Sequence, residues 1–366
     1  MTRPHAPTTV AGAHISSGAP TSRRSLLAHG LVFGMAGAGL VACSGDRPSP
    51  PPSRSSSGSG GRPSGSTGTA PASVTPTPDA TTAAAARSEQ RLLTLTIAAL
   101  DHPDAAALSA ARRRLLRAVR DGHRQHLAAL RSAEPTSRPL PSASPSPTTS
   151  PSASSRPRSS LTADLTALRT AETTAVSGHR KAAASSVGFT SLLHASLAEA
   201  AQGYATALDD ADPPKPITGS SRPVLIPWTE SEAEQDLLAA THAMLYGYKA
   251  AVGSVSESSA LGTQLLARLL DYRKLRDRLT RLVHAAGLEP AAAEPAYGLP
   301  VRVTGTASAT ALARRLELAV QPHLGRFVAA ATTPAVHAVA LSQFSDATGT
   351  ALARGAGVAA WPGWPA

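Results

Sequence analysis

The spacing of its helical segments constrains this chain more than any single residue does. From about residue 81 onward, apolar residues recur three or four apart in long stretches, the period of amphipathic helices. The pattern predicts helices over Thr82–Leu100, Asp104–Ser132, Leu161–Ala184 and Phe189–Asp209, then over Glu230–Ser254, Ser259–Ala286, Ser308–Ala330 and Pro334–Arg354. Within each set of four, the connections run short, long, short. A helix with one apolar seam is marginal alone and must pack against others. Aromatic residues are only 3% of the chain, and Val and Ile are too scattered to build strand cores. The fold class expected is therefore all-α.

A four-helix set with a long middle connection resembles the ferritin-like topology, in which one crossover runs the length of the bundle. A helix of about 25 residues is about 37 Å long. The Pro/Ser-rich stretch 133–160 can span that at about 3.3 Å per residue. The expectation is two such bundles, 81–212 and 229–366, joined by a Pro-rich linker at 213–228.

The chain before residue 81 carries no such pattern. Ser22-Arg23-Arg24-Ser25-Leu26-Leu27 opens a weakly apolar run that ends at Leu40-Val41-Ala42-Cys43. The pair Arg23, Arg24 before that run resembles a twin-arginine export signal. Leu40–Cys43 resembles a bacterial lipobox, which implies cleavage after residue 42 and a diacylglycerol thioether on Cys43. Cys43 is the only cysteine of the 366 residues, so no intramolecular disulfide and no cysteine-based metal site can form. Residues 44–80 are Ser, Pro, Gly and Thr, a composition expected to form a disordered tether. The resulting expectation is a lipoprotein held on the extracytoplasmic face of the cell membrane.

A narrower resemblance rests on the second half. Ala239-Ala240-Thr241-His242-Ala243-Met244-Leu245-Tyr246-Gly247-Tyr248, Asp271-Tyr272-Arg273-Lys274-Leu275-Arg276-Asp277, Pro295-Ala296-Tyr297-Gly298-Leu299-Pro300, Arg315-Leu316-Glu317 and the tail Trp361-Pro362-Gly363-Trp364-Pro365 resemble an uncharacterised ferritin-like domain of actinobacterial envelope proteins. The resemblance implies the fold and assigns no activity. It also implies a glutamate where this chain has Thr241 and a histidine where it has Tyr272, so two potential metal ligands are missing.

Ferritin-like di-metal centres take a Glu from each of two helices and Glu-x-x-His from each of the other two. The first bundle offers Glu89, His123, His126, Glu172, His179 and Glu199 as candidate ligands for iron or manganese, but no Glu-x-x-His. Counted from the hairpin turns, Glu89, Glu172 and Glu199 share one layer. His123, His179 and His194 fall seven or eight residues away, about 11 Å along a helix. That spacing argues against one compact centre. It favours a polar seam in which these groups hydrogen-bond one another or an arginine. The second bundle has Glu317 and Asp346 without imidazoles at matching spacing, and His242 and Tyr246 one turn apart as a bonded pair or surface patch.

No phosphate-cradling glycine loop and no Gly-x-Ser-x-Gly elbow occurs. The net charge of +11 comes in part from arginine stripes on the second and sixth helices, read as solvated faces, Arg268 among them. Beside a membrane these stripes suit anionic lipid heads or acidic envelope polymer, with nucleic acid excluded by location. The leading expectation is a non-enzymatic envelope binding or scaffold module; the alternative is a metal-binding redox or storage protein.

Overall fold

The computed structural model describes residues 79–132, 160–217 and 227–364. The export signal with Arg23 and Arg24, the lipid site Cys43, the tether and most of the 133–160 crossover lie outside the described residues. Among the described residues there are eight α-helices and no strand: α1 (Ala80–Asp101), α2 (Ala110–Arg131), α3 (Leu161–Ala184), α4 (Gly188–Asp209), α5 (Glu230–Val252), α6 (Ala260–Ala285), α7 (Thr306–Ala330) and α8 (Pro334–Ala353). Short polar side chains set most starts. Asp79 accepts from the Thr82 amide at 2.7 Å, and Ser109 and Ser160 accept from Arg112 and Ala163. Thr229 and Glu232 form a reciprocal capping box ahead of α5.

One helix begins later than its periodicity predicts. Asp104 does not open α2; Pro103–Ala107 is a 3-10 turn, Leu108 is extended, and Ser109 caps a helix that starts at Ala110. Leu108 reads as an apolar stripe residue in sequence, and nothing local to it shows that it is unwound. The six-residue delay displaces every later α2 side chain by about 9 Å along the axis.

Both sets of four carry the crossover arrangement. α1 packs against α2 and α3, and α4 packs against the same two, which leaves α2 and α3 on a diagonal. In a plain up-and-down bundle those two would be neighbours. Likewise α5 packs against both α6 and α7, and α7 against α8. All described residues fall in one compact unit. α4 joins the two sets, lying against α2 and α3 on one side and α7 and α8 on the other. Its residues Ser191 to Ala201 are all buried, as expected of a helix apolar on nearly every face. Leu192, Leu193 and Leu197 belong to the same core as Leu237, Leu269, Leu312, Phe327 and Phe344. Each such side chain contributes roughly 1.5–3 kcal/mol through burial.

Candidate metal centre

Glu89 sits on the buried stripe of α1 with Ala85, Leu92, Leu93 and Thr96. Once α2 is known to start at Ala110, His123 lies as far from the α1–α2 hairpin as Glu89 does. His123 and His126 are one turn apart on α2; Glu172 and His179 are two turns apart on α3. All five are at most 2% exposed. The structure brings the three histidines together around the Glu89 carboxylate, with Glu172 behind His123. Glu89 Oε2 lies 2.8 Å from His123 Nδ1 and 3.1 Å from His126 Nδ1, and Glu89 Oε1 accepts from His179 Nε2 at 3.0 Å. For His123 the separation counted from the sequence therefore fails, because it places the start of α2 six residues too early.

The far nitrogen of each α2 histidine is also held. His123 Nε2 donates to Glu172 Oε1 at 2.7 Å, and His126 Nε2 donates to the Ala360 carbonyl at 2.7 Å. A carbonyl only accepts, so the proton on His126 Nε2 is fixed and its Nδ1 faces Glu89. His123 bridges two carboxylates, which requires a proton on both nitrogens while both carboxylates are ionised. Burial opposes that charge, but Glu172 and Glu89 outweigh it and raise His123 to about 10. Burial likewise pushes Glu89 up, yet His126 and His123 pull its carboxyl well below the usual range. Glu172 is raised, chiefly by burial, and its Oε2 has no partner among the described residues.

Three of these residues could hold a metal ion. Glu89, His123 and His126 each offer one ligand atom, all within 4.8 Å of one another. Ligands about 2.1 Å from one ion lie roughly 3.0–3.4 Å apart, close to the N–O separations found here. Metal-ligating histidines usually donate their second ring nitrogen to a carboxylate or a backbone carbonyl, and both do so here. One dication with Glu89 would leave a single positive charge, which Glu172 balances through His123.

Glu199 is not part of this cluster. Its Oε1 accepts from Arg180 of α3 at 3.2 Å, and Arg180 also donates to Ser345 of α8. The layer shared by Glu89, Glu172 and Glu199 therefore does not form. His194 stacks on His179 with ring centroids 6.3 Å apart. It is fully buried, and neither of its nitrogens has a partner among the described residues.

Burial, and then the charge of His179, lower His194 to about 4. Below pH 6.5 the unfolded chain takes up a proton there that the folded chain refuses. Stability is therefore lost as pH falls from 6.5 toward 4. His194→Leu is expected to remove this loss, gaining about 2 kcal/mol over the parent at pH 5 relative to their difference at pH 8. Urea midpoints at the two pH values check it, and a gap that does not change with pH would contradict it.

Three elements of the centre escaped sequence reasoning. Tyr204 of α4 packs edge-on to His123 at 5.4 Å. It fits because residue 122 is glycine; a Cβ there would lie 2.1 Å from the tyrosine hydroxyl oxygen. A glycine inside a long helix costs about 1 kcal/mol against alanine, and that anomaly was the available signal. Ala360 and Trp361, from the far end of the chain, close the same end of the site. No local signal links them to α2.

In the second bundle, Glu317 stands on α7 in the same register as Glu172 on α3. Its partner is an arginine: Arg268 donates to both Glu317 oxygens at 2.8 and 3.1 Å. Tyr272 donates to Oε2 at 2.7 Å, and Tyr248 donates to Oε1. Arg268 is thus buried at 7% exposure, not solvated as its stripe suggests. His242 and Tyr246 do not pair; His242 bonds the Ala291 carbonyl and Tyr246 packs on Tyr297.

Residues 233–366 match a family described as a domain of unknown function, DUF4439. The match covers the second bundle and reaches the first site only through Ala360 and Trp361. Among solved structures, the chain is similar to a conserved hypothetical protein, Rv2844, from Mycobacterium tuberculosis. The two are 25% identical over 34% of this chain and 93% of that one, with a TM-score of 0.32. No curated protein matches the chain.

Proposed function

We propose that this protein is a lipid-anchored, extracytoplasmic helical protein that holds one divalent transition-metal ion between Glu89, His123 and His126. The observation that carries the metal reading is the convergence of two Nδ1 atoms on one carboxylate oxygen, with both far nitrogens tied to acceptors. Two imidazoles and a carboxylate suit iron, manganese or zinc. The ion would act as a Lewis acid or a redox centre. The chain's own part is to fix the imidazoles, exclude water and balance charge. Binding must displace the Nδ1 protons through which His123 and His126 face Glu89, so affinity rises with pH.

The anchor rests on sequence: Arg23, Arg24 and the single Cys43 in its lipobox-like setting. Export in folded form through a twin-arginine route suits an ion loaded inside the cell. A second reading, an ion-free scaffold module that touches anionic lipid or envelope polymer, is favoured by one feature. Glu89 already accepts three imidazole contacts, so the cluster closes on itself without an ion.

One experiment separates these readings. Full-length protein extracted from the membrane fraction of producing cells is measured by intact mass and by elemental analysis. The expected result is a chain beginning at lipidated Cys43 with about one equivalent of iron, manganese or zinc. A mature chain that begins elsewhere removes the anchor. Protein free of metal that also binds no added Co2+ leaves the scaffold reading in its place.

A further inference from the structure

The last described residues do not end at the bundle they belong to. Beyond α8 the chain turns back along α4, and Val358 enters a small core with Leu115, Val119 and Tyr204. The Val358 carbonyl accepts from the Ile217 amide at 2.8 Å. Two residues on, the Ala360 carbonyl accepts from His126 Nε2. Trp361 sets its ring edge-on to His126 with centroids 4.8 Å apart and donates Nε1 to Gln125 at 2.9 Å. Gly363 turns the end inward at φ +79°, where any Cβ would lie 2.6 Å from the Phe344 ring. Trp361 is 4% exposed, so the strap is packed in place.

We propose that this strap, Ala356–Trp364, is a positioning element for the ion, and that its docking and the ion's binding are coupled. The inference rests on the metal reading above. The Ala360 carbonyl holds the proton on His126 Nε2 and so leaves Nδ1 as the nitrogen that would bind the ion once its own proton is displaced. Trp361 keeps that carbonyl in place by bracing the same imidazole and gripping Gln125. An ion on Nδ1 fixes the ring in the orientation the strap requires. By linkage, whatever factor the docked strap adds to ion affinity, the ion adds to strap docking. The ligand of the second bundle's tail is thus the first bundle's histidine, and a metal-free chain should open there first.

Co2+ serves as the probe. Its dissociation constant is measured by competition against a chromophoric chelator for the full chain, for Trp361→Ala and for Trp361→Phe. Hydrogen exchange at Val358–Trp364 is followed in the unaltered chain with and without saturating Co2+. Trp361→Ala is expected to weaken binding about 10- to 100-fold, as loss of an outer-shell partner does, and Trp361→Phe, which keeps the ring, by much less. Co2+ is expected to slow exchange of the strap amides more than those of α6. Equal affinity in all three chains, or strap exchange unmoved by Co2+, overturns the coupling and leaves the ion site standing. Absence of Co2+ binding to the full chain overturns both.

Discussion

Glu89→Ala is expected to cost the first bundle about 3–5 kcal/mol, the usual penalty for breaking a buried charge pair from one side. The carboxylate faces three imidazole nitrogens at 2.8–3.1 Å. Removing it leaves His123, His126 and His179 without their shared acceptor at a buried position. Total domain stabilities are only about 5–15 kcal/mol, so the loss is a large share. Chemical denaturation should then show a midpoint at clearly lower denaturant concentration. Glu89→Gln keeps the shape and one acceptor oxygen, and should lose less stability. Both variants should lose Co2+ binding, because the only anionic ligand has gone. A Glu89→Ala chain with the parent's denaturation midpoint would show that the cluster contributes nothing to folding.

Glu317→Ala is expected to be comparably severe in the second bundle, about 3–5 kcal/mol. Arg268 would stay buried and charged. Burial disfavours that charge, yet the tyrosine hydroxyls and Glu317 around it raise its affinity for the proton. After the substitution its remaining hydrogen bond among the described residues is to the Tyr272 hydroxyl. The pairing itself is a different matter. Replacing Glu317 and Arg268 together by leucine removes both charges and their desolvation cost. Such double replacements are often neutral or stabilising. The double variant is therefore expected to recover part of the loss in thermal or urea denaturation, the rest being the cost of the Tyr248 and Tyr272 hydroxyls left without Glu317. Losses that simply add would mean the two residues do not interact, contrary to the geometry.

The contrast between the two bundles says how one architecture meets one physical demand. A glutamate on the third helix of each set needs a positive partner once it is out of water. In the first bundle His123 supplies it and leaves Glu89 with imidazoles around it. In the second, Arg268 supplies it permanently. Thr241 and Tyr272, where the family resemblance implies a glutamate and a histidine, fit this arrangement: Tyr272 donates to Glu317, and Thr241 donates to its own helix at Leu237.

What could be read from sequence followed from local periodicity. Glu89, His123, His126, Glu172 and His179 were all recognisable on apolar stripes, because a polar residue at a core position stands out against its neighbours. Their depth was not recognisable. It depends on where α2 begins, and the 3-10 turn over Pro103–Ala107 breaks the count without breaking the apolar pattern. Arg268 was misread for the converse reason: an arginine among arginines looks like a solvated face, and only the carboxylate opposite reveals otherwise.

By itself the sequence determined the helices, the crossover connectivity and the polar residues destined for the interior, since three- and four-residue spacing and loop length act over a few turns of chain. Only the tertiary structure decided that His123, His126 and His179 share the Glu89 carboxylate, that α4 serves both cores, and that a tail 234 residues beyond His126 closes the site. Those are contacts between segments with no common period, settled by how whole helices pack.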